Sequence, residues 1–116
     1  MNEAKQVIRE NVEAWCEALE SGEYEQTQDA LYKDGGYCCL GVARCVLTGH
    51  RGRWFGLSLT PAEQDALGIR DAMSHLMNLN DGWGKWIGDG VWQHRLSFDQ
   101  IAEIIRREHP VFRDEP

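Results

Sequence analysis

The stretch 35-GGYCCLGVARCVLTG-49 decides how the rest of the chain folds around it. From Tyr37 to Leu47 it reads as a helix of about ten residues. Thr48-Gly49 stops it, because glycine takes the left-handed C-terminal cap without a steric cost. Cys38, Gly41, Val42 and Cys45 share one face of this helix, and Cys39, Ala43 and Val46 share the next. A helix that is small and apolar nearly all round belongs at the centre of a fold, where its neighbours can approach closely.

On the N-terminal side, apolar residues recur at Val7, Ile8, Val12, Trp15, Cys16 and Leu19, the spacing of a helix from Asn2 to about Glu20 with one buried stripe. Glu3, Glu10, Glu13, Glu17 and Glu20 sit opposite that stripe. Ser21-Gly22 ends the helix, and EYEQTQDALYKDGG reads as a short extended piece with a turn at Asp34-Gly35-Gly36. On the C-terminal side, HRGRWFGLSL reads as a basic loop leading to a short strand.

Thr60-Pro61-Ala62-Glu63 then opens a helix: threonine caps, proline takes the first helical position, and the glutamate reaches back to the cap amide. Leu67-Gly68 ends it. Another helix is expected from Ile69 to about Leu79, burying Ile69, Met73, Leu76, Met77 and Leu79, with a turn at Asn80-Asp81-Gly82. WGKWIGDGVWQHRL reads as an irregular hairpin about Gly88-Asp89-Gly90. Ser97-Phe98-Asp99-Gln100 repeats the capping logic and opens a last helix to about Glu108. The sum is a mostly α member of the α+β class, four or five helices with a small β-hairpin or short strands. It forms one globular domain over residues 1–110, with a flexible tail at 111–116.

The chain has 116 residues, enough for one domain to bury a core without staples. No apolar run is long enough for a bilayer, and the N-terminus is charged where a secretory signal is apolar. The expected location is therefore the cytoplasm, where four cysteines are thiols, metal ligands or a catalytic group rather than disulfides. The net charge of −7 argues against binding bulk nucleic acid. Its distribution says more. Residues 1–36 carry three basic and nine acidic groups, whereas residues 37–59 carry three arginines and no acid. One positive island sits in an acidic chain, and it begins at the central helix.

The order W..AL.SG.Y.Q...AL, GYCCLGV, L.P.EQ..LG, L..LND and SF..IA..I falls here on Trp15, Leu19, Tyr24, Gln26, Gly36 to Val42, Leu67-Gly68, Leu79-Asn80-Asp81 and Ser97 to Ala102. This pattern resembles a widespread group of small proteins encoded in tailed phages and prophages. The resemblance implies origin more than activity: an accessory protein made early, in the cytoplasm of the host cell, to inhibit, sequester or modify something there.

Three chemistries compete for these residues. A thiol at a helix start is activated by the helix N-terminus, so Cys38 or Cys39 with His75 or His94 as base would make a cysteine-dependent hydrolase. The plainer reading is that adjacent cysteines are small groups at a tight helix crossing. Cys38, Cys39, Cys45 and His50 have zinc-ligand chemistry but lack knuckle spacing, so neither a metal nor another cofactor is expected. The island Arg44, His50, Arg51, Arg53, Trp54 and Phe55 is suited to an anion, since guanidinium groups grip phosphate and an indole stacks on a base. Its plainer reading is a basic loop neutralising the acidic first helix of its own or a neighbouring chain. Trp83, Trp86 and Trp92, with Arg95, repeat the pairing of rings with cations.

The leading expectation is a non-catalytic, homo-oligomeric sponge for an anionic nucleotide of host immune signalling. Arg44, His50, Arg51, Arg53, Trp54, Trp83, Trp86, Trp92 and Arg95 form its binding set. The first alternative is a protein–protein inhibitor of a host defence or replication enzyme, using the acidic helix or exposed tryptophans. The hydrolase is the second.

Overall fold

The computed structural model describes residues 3–28, 30–56, 58–72, 76, 80 and 96–113. Helix α1 runs Glu3–Glu20 and buries Val12, Trp15, Cys16 and Leu19. Val7, expected in that stripe, is 52% exposed. At 100° per residue it falls roughly 120° from the stripe's centre, on the far flank of the helix.

Two short strands follow, β1 (Tyr32–Lys33) and β2 (Gly36–Tyr37), paired antiparallel with Tyr32 opposite Tyr37 and Lys33 opposite Gly36. The register leaves a two-residue turn, Asp34-Gly35, in which both φ angles are positive, 52° and 85°. That is the mark of a type I′ hairpin, whose twist matches the strands it joins. Gln26 makes a parallel bridge to Tyr37, through Thr27 N–H to Tyr37 O (2.9 Å) and Tyr37 N–H to Glu25 O (2.8 Å).

Helix α2 is Cys39–Thr48. The Cys38 thiol caps its start by accepting from Gly41 N–H at 3.4 Å, and Gly49 closes it in the left-handed region, φ 80°. Residues Cys38 to Ala43 and Cys45 are buried, so the helix is central, as its composition requires. Gly41 is the point of closest approach: a Cβ there would run into the carbonyl oxygen of Leu31, which already accepts from Cys38 N–H at 3.2 Å. Across the other interface the Trp15 indole of α1 donates to Cys39 O at 2.8 Å. Full burial of such a ring supplies on the order of 2–3 kcal/mol.

No strand forms among the described residues between Gly49 and Thr60, contrary to the expected short one; Leu59 is buried as part of a loop. Helix α3, Pro61–Leu67, carries the full capping box between Thr60 and Glu63 and ends at Gly68 (φ 62°). Where a helix was expected from Ile69, a 3₁₀ turn covers Arg70–Ala72. Ile69 and Leu76 are buried as predicted. Asn80, expected in a turn, has helical backbone and is fully buried. Met73, Met77, Leu79 and the proposed hairpin about residues 88–90 lie outside the described residues.

Helix α4 (Phe98–Glu108) has the second capping box, Ser97 with Gln100, and packs Ile101, Ala102 and Ile105 into the core beside α1. One further turn, α5 (Pro110–Arg113), follows. Val111 is buried there, so packing continues past residue 110, where the sequence reading ended the domain. His109 makes this join. Its Nε2 lies 2.8 Å from Leu67 O, and its Nδ1 accepts from Val111 N–H at 3.1 Å. The fold is thus a mostly helical α+β domain with a small antiparallel hairpin, α1 lying against α2, α3 and α4. Among the described residues no helix is long and apolar enough to cross a membrane.

Candidate functional site at the end of the central helix

The last turn of α2 and the loop after it hold the positive island, and the structure divides its members into two groups. Arg44 serves the fold. Its Nε and Nη2 form a bidentate pair with Glu63 at 2.8 and 2.7 Å, with both side chains less than a fifth exposed. Its guanidinium also lies 5.5 Å from the Trp54 ring. These hydrogen bonds raise the Arg44 pKa and hold the Glu63 carboxyl below its ordinary range. Glu63 simultaneously accepts from Thr60 N–H at 2.8 Å, so one carboxylate joins α2 to the cap of α3. Trp54 is half-buried, its indole donating to the Cys45 thiol at 3.4 Å. The Arg44 guanidinium is thus engaged by Glu63, and the Trp54 indole is partly covered.

The second group faces solvent. Arg51 is half-exposed and anchored: it donates to Glu23 O at 3.0 Å and lies over the Tyr24 ring at 4.2 Å. His50 is exposed and tilted against Trp54 at 5.5 Å. Arg53 is exposed and forms no ion pair among the described residues. Beside it Phe55 is 93% exposed, far more than any other large apolar side chain among the described residues. The loop is nonetheless firmly held. Tyr37 Oη donates to Gly52 O at 3.0 Å, Leu31 N–H donates to Gly56 O at 3.1 Å, and Trp54 and Arg51 pin its flanks.

The other end of α2 is enclosed. All four cysteines are buried thiols. Cys38 is the helix cap, Cys39 Sγ donates to Leu76 O at 3.7 Å, and Cys45 receives the Trp54 indole. Burial pushes the Cys16 thiol up to about 12, away from nucleophilic use. Among the described residues no three His, Cys, Asp or Glu side chains gather to hold a metal ion. His75, His94, Trp83, Trp86, Trp92 and Arg95 lie outside the described residues.

One structural centre escaped the sequence reading. The Asn80 carboxamide oxygen accepts from Cys39 N–H (3.1 Å) and from Gln26 Nε2 (3.0 Å), while its nitrogen donates to Thr27 O (2.8 Å). Gln26 Nε2 also donates to Leu96 O at 2.8 Å. One amide pair therefore ties the α2 start to residues 26–27 and to the approach to α4. The available signal was spacing: Asn80 stands four residues after Leu76, on an apolar helical face where a polar group must find partners.

A separate apolar cleft of about 180 Å³ lies between Gly68, Ile69, Leu76, Ile104 and His109. Among the described residues, none of the predicted site residues lines it.

The molecule is therefore a mostly helical α+β domain whose central helix ends in a pinned, basic, aromatic loop. The chain belongs to the family described as Domain of unknown function (DUF8296), whose model matches residues 5–64. That match spans α1, the hairpin, α2, the basic loop and the α3 cap. Neither the curated proteins nor the solved structures yield a match.

Proposed function

We propose that this protein is a binding module without catalysis, and that the loop of residues 49–56 is its working surface, docking on an acidic face of a protein partner. The observation that carries the reading is Phe55, 93% exposed on the same loop as the exposed Arg53 and His50, a loop pinned through Tyr37, Arg51 and Trp54. A flat apolar ring flanked by arginine is the usual anchor of a protein interface. Pinning the loop beforehand reduces the ordering cost of binding. The resemblance to phage-encoded proteins supports an origin among accessory proteins that act in the host cytoplasm, with a host defence or replication enzyme as target.

A second reading retains the nucleotide sponge. Arg53 and His50 remain open to phosphate, and the exposed Phe55 ring is available to stack on a base. Two measurements separate these readings. Capture from host lysate by the wild-type chain, lost in both Arg53→Glu and Phe55→Ala at unchanged melting temperature, is the expected result for a protein partner. A melting point raised by one member of a nucleotide panel, and not in Arg53→Ala, selects the sponge instead. A partner or nucleotide held equally well by all these variants removes the loop from the function altogether.

A further inference from the structure

The described surface carries two exposed large apolar side chains, Phe55 and Val7, and their settings have opposite charge. Phe55 sits with His50, Arg51 and Arg53. On α1, Val7 and Ala14 fall within an arc of about 80° that also holds Glu3, Glu10 and Glu17. Those three glutamates are exposed and form no ion pair among the described residues, whereas Glu13, Glu20 and Glu23 are paired to Arg9, Arg106 and Arg51. This arc points directly away from the core stripe of Val12, Trp15, Cys16 and Leu19. The molecule thus carries both a cationic, aromatic loop and, elsewhere on its surface, an acidic, small-residue ridge of matching chemistry.

One copy does not satisfy that match by itself. Arg51 fixes the loop to Glu23, beyond the C-terminal end of α1. Val7 lies thirteen residues before Glu20 in the same helix, about 20 Å away at the rise of an α-helix. We infer that the loop of residues 49–56 docks on the Val7–Ala14 ridge of α1 in a second copy of this chain. In that contact Phe55 covers Val7 and the loop cations face Glu3, Glu10 and Glu17. The inference rests on the reading of this loop as a docking surface, and it names a partner that competes for it. Two such contacts close a twofold dimer, and one per molecule gives a head-to-tail chain. The contact is charge-rich, so association is expected to weaken as salt is added.

Sedimentation velocity of the full chain over a concentration series tests this. The expected result is a weight-average mass that rises with concentration at low ionic strength and falls back to the monomer as salt is added. Phe55→Ala, Arg53→Glu and the double variant Glu10→Lys/Glu17→Lys should each remain monomeric while melting like the wild type. Mixing the Arg53→Glu protein with the double variant should restore association, because the swapped charges again oppose. A wild-type chain that stays monomeric throughout overturns the inference, as does association that none of the variants weakens. Lysate capture by the double variant distinguishes the two readings, since its docking loop is intact. If it captures a partner through Phe55 while the wild type is monomeric, the inference fails and the proposed function stands.

Discussion

At its first turn α2 is enclosed on all sides. Cys38 caps it, Asn80 satisfies the Cys39 amide, Trp15 takes the Cys39 carbonyl, and Gly41 rests against the Leu31 carbonyl. At its last turn the same helix opens into a loop where Arg53 and Phe55 touch little. Two arginines drawn from one positive island make the contrast clear. Arg44 is committed to Glu63 and to the stability of the fold, while Arg53, nine residues on, is committed to nothing within the described chain. A charged residue can serve a partner only where the fold has not already consumed its hydrogen bonds. The same holds for the aromatic pair, Trp54 turned inward and Phe55 outward.

The contrast is open to test from its enclosed end first. Gly41→Ala places a methyl against backbone rather than against a flexible side chain, so the two elements must separate. Its expected cost is about 3 kcal/mol, read as a lower urea midpoint; an unchanged midpoint would mean that the close approach is not required. Asn80→Ala leaves the Cys39 amide and the Thr27 carbonyl without this side-chain partner. A loss of about 2 kcal/mol is expected in the same measurement. An Asn80→Ala protein as stable as the wild type would deny the amide its central place.

Arg44→Ala comes next, at about 1–2 kcal/mol, because the stranded Glu63 is partly buried and still holds the Thr60 cap. The pair also has a pH signature. Arg44 lowers the Glu63 carboxyl below its ordinary value of 4.5, so the contribution is present above that pH and is lost as pH falls through the lower, folded-state value. Stability measured between pH 6 and pH 3 should therefore fall less steeply in Arg44→Ala than in the wild type. The smallest effect belongs to the open end. Phe55→Ala and Arg53→Ala should shift stability by no more than about 0.5 kcal/mol while removing partner capture. A large stability loss in either would place the loop with the fold rather than with function.

Much of the architecture is legible in the residues because it depends on short-range chemistry. The Thr60–Glu63 and Ser97–Gln100 boxes, the glycine stops at 49 and 68 and the Asp34-Gly35 turn are each set by local backbone requirements, and each formed where the pattern placed it. The departures have a common cause. Val7 continues an apolar series but lies past the edge of the face that α2, α3 and α4 can cover. Leu59 has strand-like neighbours, yet its burial is achieved from a loop, and Asn80 resembles a turn residue until three chain segments converge on its amide.

By itself the sequence determined a small acidic chain with a central cysteine-rich helix, capped neighbours and one basic loop, because helix periodicity, capping and charge are properties of adjacent residues. Only the tertiary structure decided which members of the positive island are available. Arg44 is engaged by Glu63 and Trp54 by Cys45, residues whose approach depends on how α2 packs against the loop and the α3 cap. Phe55 and Arg53 were left exposed by the same packing. Whether a charge or a ring is consumed by its own fold is decided by distances through space, and spacing along the chain carries no record of them.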